Sequence, residues 1–165
     1  MASSNRLIAL LTEQLSVLRE LQQTLQDEQK AIVGLDTQTM EMLNSQKEQL
    51  VNRQRGLAES IRLALVETAG QLGLATSASL GEIIDNSPAS MRNLLEPLQR
   101  EIKQCSSSVS VLANNNRTML ERFLGVVNES LSFILRILNT SNTYGVRGTY
   151  LANAQAGAVM VSKEA

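Results

Sequence analysis

With 165 residues the chain has room for one ordinary domain, and an apolar share of 43% is enough for a core, but aromatic residues are only 2%. Leu, Ile, Val, Ala and Met must therefore fill that core, which suits helix packing better than a β-sandwich. Fifteen basic residues against sixteen acidic ones leave a formal charge of −1, with the basic residues scattered singly. That removes the electrostatic basis for binding nucleic acid, whose affinity comes from clustered Lys and Arg.

There is no histidine and one cysteine, so the commonest general base, the commonest metal ligand and any intramolecular disulfide are absent. Asp, Glu, Lys and Tyr do not cluster with motif-like spacing. The chain is accordingly not read as an enzyme, and neither a cofactor nor a metal is expected. The longest apolar runs span four or five residues, such as Leu7 to Leu11, far short of a membrane span or a secretory signal. A cytoplasmic protein without membrane insertion is expected.

Leu11, Leu18, Leu25 and Ile32 recur every seven residues, with Ile8, Leu15 and Leu21 in the intervening steps. This predicts one amphipathic helix, capped by Ser3 or Ser4 and stopped at Gly34. Asp36 or Thr37 offers the next N-cap, after which Met40, Leu43, Leu50, Leu57, Ile61, Leu65 and Leu72 continue a second stripe. So short a turn makes the two helices antiparallel neighbours. Gln46, Lys47, Glu48, Arg53, Gln54 and Arg55 are read as a solvated face.

Residues 73–90 lose the period and read as a loop, with Ser87 and Pro88 as a helix start. From Met91 the strongest periodicity in the chain begins: Leu95, Leu98, Ile102, Cys105, Val109, Leu112, Asn116, Met119 and Phe123 follow in steps of four and three, a coiled-coil seam. Pro97 is expected to kink this third helix or mark a restart. Cys105 falls on the seam as a small buried thiol. Asn116 also falls there, where a polar group can fix register at some cost in stability. The sequons at Asn116 and Asn128 lie on predicted helix and are discounted as glycosylation sites.

Ten of the sixteen residues from Phe123 to Leu138 are apolar, more than one helix face can hide, so something else must cover them. Phe123, Val127, Leu131, Ile134, Leu135 and Leu138 are the candidate groove; cover by the first two helices and the tail, or self-association as a homodimer, are the other readings. Beyond Asn139 the chain is rich in Asn, Ser, Thr, Gly and Ala without helical period. The expected architecture is all-α, a long antiparallel hairpin plus a third long helix, with a helical domain at 1–140 and a flexible tail at 141–165.

Three segments carry a family resemblance. Gly34-Leu35-Asp36 followed by Leu43 and Gln46-Lys47-Glu48-Gln49-Leu50 resembles a short glycine-acid turn followed by a leucine and a K-x-x-L pattern. Asn116-Arg117-Thr118-Met119-Leu120 is similar to an N-x-x-L-L segment, and Thr143-Tyr144-Gly145-Val146-Arg147-Gly148 to a tail motif T-Y-G-x-x-G. Together and in this order they resemble the FlgN family of flagellar type III export chaperones. Val146-Arg147 departs from the family's small residue or proline followed by an acid or amide, which reverses charge at that point. The resemblance implies that the chain binds hook–filament junction proteins through their C-terminal helical segments, and that Tyr144, Gly145 and Gly148 dock on the flagellar export gate. A structural coiled coil or adaptor is the alternative function, and it leaves the tail motif without a purpose.

Overall fold

A computed structural model of the chain describes residues 2–141, with side chains from 4 to 137. Among them every regular element is an α-helix: α1 (Ala2–Gly34), α2 (Thr37–Gln71), α3 (Leu80–Asp85) and α4 (Ala89–Ser141). The all-α architecture with two long hairpin helices and a third long helix is as the apolar spacing predicts. The chain divides into two units, Met1–Leu120 and Glu121–Ala165.

Local chemistry explains most boundaries. α1 begins at Ala2, so Ser3 and Ser4 lie within its first turn and not ahead of it. It ends at Gly34, as expected, in a Schellman turn whose left-handed residue is Leu35 and not the glycine: Leu35 N donates to Ile32 O at 3.2 Å and Asp36 N to Ala31 O at 3.0 Å, with Leu35 at φ +53°. Asp36 caps α2 by accepting from Thr39 N at 3.0 Å. α2 closes with the same turn, Leu74 N donating to Ala69 O at 2.9 Å around Gly73 at φ +71°. Here a glycine takes the left-handed position, which costs it little.

The segment read as a loop contains α3. Ser79 and Glu82 form a capping box, the Ser79 hydroxyl accepting from Glu82 N while the Glu82 carboxylate accepts from Ser79 N. Six residues are too few to show a period, but Ile83 and Ile84 are buried in the core. The Arg92 guanidinium donates to Ile84 O, Asp85 O and Ser87 O, at 3.2, 2.7 and 3.3 Å, and ties the end of α3 to the start of α4. α4 continues through Pro97, which lies inside it, so no restart occurs there.

Within the first unit the relative directions of the helices follow from cross-helix pairs. Arg6 pairs with Glu67, Glu13 with Arg53 and Glu28 with Lys47, so α1 and α2 are antiparallel. Arg19 pairs with Glu101, Gln22 Nε2 donates to Ser108 Oγ at 3.0 Å and Gln29 Nε2 to Met119 Sδ at 3.8 Å, so α1 and α4 run parallel. The main core gathers Leu7, Leu11, Leu57, Ile61, Ala64, Ile83, Met91 and Leu95 where all four helices meet. Each buried leucine there contributes about 2 kcal/mol of transfer free energy. Leu15, Leu18 and Cys105 form a second cluster. Cys105 is buried as its seam position predicts, its thiol donating to Gln22 Oε1 at 3.3 Å, and burial pushes its pKa up.

Candidate functional site

Of the six residues read as a groove, five have described side chains, and all five lie on α4 in the second unit. At about 100° per residue, Phe123, Val127, Leu131, Ile134 and Leu135 fall within an arc of about 120°. Phe123 and Val127 are half-buried. Leu131, Ile134 and Leu135 are exposed at 54%, 51% and 59%. Leu138 belongs to the helix, but its side chain lies outside the described residues, as do Tyr144, Gly145 and Gly148 altogether.

A second apolar stripe, Val126, Phe133 and Ile137, runs beside the first and is equally exposed. It was not singled out from the sequence, although the surplus of ten apolar residues already exceeded what one stripe could hold. The opposite face carries Asn128, Glu129, Ser132 and Arg136, which with Phe133 line a shallow hollow. The segment is thus amphipathic, with an apolar face close to half its circumference. Exposed large apolar residues in such a continuous band mark a surface that another apolar surface would cover.

In the first unit a different group of side chains stands out. Asn116 is 2% exposed, and its Nδ2 donates to Leu25 O and to Glu28 Oε2, both at 2.8 Å. The other oxygen of Glu28, itself buried, accepts from Lys47 Nζ. One carboxylate on α1 is therefore held by an amide from α4 and an ammonium from α2. Asn116 is thus buried at the seam position read from the sequence and bonded to α1 there. Lys47 does not belong to a solvated face, and neither does Gln54, whose Oε1 is buried; Arg53 reaches Glu13, while Gln46, Glu48 and Arg55 are exposed. The signal for Glu28 was present in α1: it continues the apolar register Leu18, Leu21, Leu25 and precedes Ile32.

Among the described residues no group of three or more His, Cys, Asp or Glu side chains is placed to hold a metal ion. No helix among them is long and apolar enough to cross a membrane.

These features define a helical bundle protein with an uncovered apolar helix face. The family model described as FlgN protein matches residues 1–152, and the chain belongs to the FlgN family. That family is one of flagellar export chaperones. Neither a curated protein nor a solved structure matches the chain.

Proposed function

We propose that this chain works in the cytoplasm as the export chaperone of a hook–filament junction protein, holding that client's C-terminal helical segment against α4 and delivering it to the flagellar export gate. The observation that carries this reading is the uncovered apolar band of the second unit in a member of a chaperone family. An unassembled junction protein presents an amphipathic helix that would aggregate or polymerise early, and laying such a helix along an apolar face is the ordinary way to cover it. Leu131, Ile134 and Leu135 are the central anchors, with Phe123, Val127 and Leu138 at either end.

Release at the gate limits how tight the complex can be. A Kd near 1 µM corresponds to about 8 kcal/mol, which a few leucine-sized anchors supply after association costs. The helical domain at 1–140 then holds the client while the tail at 141–165 reaches the gate through Tyr144, Gly145 and Gly148. Tyrosine suits such docking because its ring fills an apolar pocket while its hydroxyl finds a polar partner at the rim.

A permanent structural coiled coil is disfavoured because the seam from Met91 to Met119 is already used inside the chain, against α1. Titration of the full chain with the C-terminal helical peptide of a junction protein tests the client reading. Leu135→Glu should weaken binding several-fold or more while far-UV circular dichroism and melting stay nearly unchanged. Unfolding of that variant would place Leu135 in an ordinary core and remove the groove.

A further inference from the structure

The contacts that hold α4 in the bundle change character at Cys105. Before it, Met91 and Leu95 are buried in the core with Leu7, Leu11 and Ile83, and Leu98 and Ile102 pack on Leu15, Leu18 and Cys105. From Ser106 to Leu120 no apolar side chain is buried: Val109, Leu112, Met119 and Leu120 are half-buried, and the one buried side chain is Asn116. Burial of apolar surface is the main force that fastens one helix to another. Residues 91–105 are therefore a firm base, and residues 106–120 are fastened weakly.

Polar contacts take over in the second stretch. Gln22 Nε2 donates to Ser108 Oγ at 3.0 Å, Asn116 Nδ2 to Leu25 O and Glu28 Oε2 at 2.8 Å, and Gln29 Nε2 to Met119 Sδ at 3.8 Å. Each exchanges for a hydrogen bond to water when the helices part, so its net worth is small. Asn116 Oδ1 is buried without a partner, and the buried Glu28 carboxylate has given up hydration; both gain water on parting. The helix itself is also weak here, because ten of the fifteen residues from Ser106 to Leu120 are Ser, Asn, Thr or Val, which hold a helix less well than Ala, Leu or Lys. The Thr118 hydroxyl donates back to Asn114 O at 3.0 Å, a contact that loosens the turn it joins.

We infer that residues 106–120 of α4 form a strap that lets go of α1 and unwinds while the rest of the bundle stays folded. A stretch this short and this poor in helix formers does not hold a helix once its packing partner is gone. The hairpin does not depend on the strap: Arg6 with Glu67, Glu13 with Arg53 and Glu28 with Lys47 join α1 to α2, and Leu43, Leu50 and Leu57 of α2 are buried. Such an opening is a local one, with a free energy below that of unfolding the whole. Resting on the function proposed above, release of the strap belongs to delivery, when α4 lets go of the hairpin with the base intact.

Native-state hydrogen exchange of the full chain tests the strap. Measured against unstructured rates, amides of residues 108–120 should be protected at least about tenfold less than those of residues 95–105, which exchange only when the whole bundle unfolds. Ile83→Val removes one methylene from the base and should speed exchange at 95–105 about fivefold, while leaving 108–120 unchanged. Ser107→Ala, Ser110→Ala and Asn114→Ala together, all at exposed positions, should slow exchange at 108–120 about tenfold by strengthening the helix. Equal protection of the two segments, equal acceleration of both by Ile83→Val, or indifference of 108–120 to the three alanines would overturn the strap. In cells, the triple-alanine variant should bind the C-terminal helical peptide of a junction protein as the parent does yet secrete less of that protein. Normal secretion would overturn the use of the strap in delivery, while a parent chain that fails to bind the peptide would overturn the client reading and leave the strap standing on its exchange pattern.

Discussion

Asn116 Nδ2 lies 2.8 Å from Glu28 Oε2, an amide on α4 meeting a carboxylate on α1 within an otherwise apolar seam. Because Lys47 of α2 holds the other oxygen of Glu28, three helices share one buried charge. Removing one partner of a buried ion pair leaves the other uncompensated, at about 3 kcal/mol or more. Lys47→Met should cost that amount in urea unfolding, whereas the triple replacement Glu28→Leu, Lys47→Met, Asn116→Leu should recover most of it by packing apolar volume there. A Lys47→Met variant within about 0.5 kcal/mol of the parent would show that the node carries no such weight.

The two Schellman turns differ at one position. Leu35 and Gly73 both adopt positive φ, but a leucine pays for that conformation in contact between its Cβ and the neighbouring carbonyl, at about 1 kcal/mol. Leu35→Gly should therefore raise stability by about 1 kcal/mol, since the leucine side chain is 56% exposed and little packing is lost. Gly73→Ala should lower stability by about the same amount. Chemical denaturation of the two single variants measures both signs.

Two helix starts depend on ionised carboxylates. The Thr39 hydroxyl, and after it the Thr39 N–H, hold Asp36 below the ordinary aspartate range, and the Ser79 N–H and hydroxyl do the same for Glu82. A folded-state pKa below the unfolded one means the stabilisation is complete above the unfolded value, near pH 4, and is lost as pH falls through the folded value. The melting temperature should fall between pH 5 and pH 3, and Asp36→Asn, which caps without titrating, should lessen the fall. An identical acid profile for that variant would remove Asp36 from the account.

For the proposed gate contact, Tyr144→Ala should leave the client complex intact in a pull-down yet reduce secretion of the junction protein in cells. Normal secretion at native expression levels would count against docking through the tail. Loss of client binding would instead merge Tyr144 with the surface around Leu135.

Much of the fold was legible in the amino-acid order because it rests on short-range chemistry. Recurrence every three or four residues marks the buried stripe of each long helix, Asp36 stands where a cap is needed, and Cys105 and Asn116 lie in the seam where burial overtakes both. α3 was legible only in part: its capping residues Ser79 and Glu82 have the right spacing, but six residues are too few for a period, and what holds them is the packing of Ile83 and Ile84 and the reach of Arg92. Other features have no local signature. That α4 runs parallel to α1, that Lys47 leaves a charge-rich face to meet Glu28, and that Leu35 takes the left-handed position one residue past the glycine all depend on groups far apart in the chain arriving together. A local pattern states which side of a helix avoids water. Which helix covers that side, and which buried charge finds a partner, is decided only when the helices pack, because burial free energy has no direction of its own and the few polar contacts select among the packings it allows.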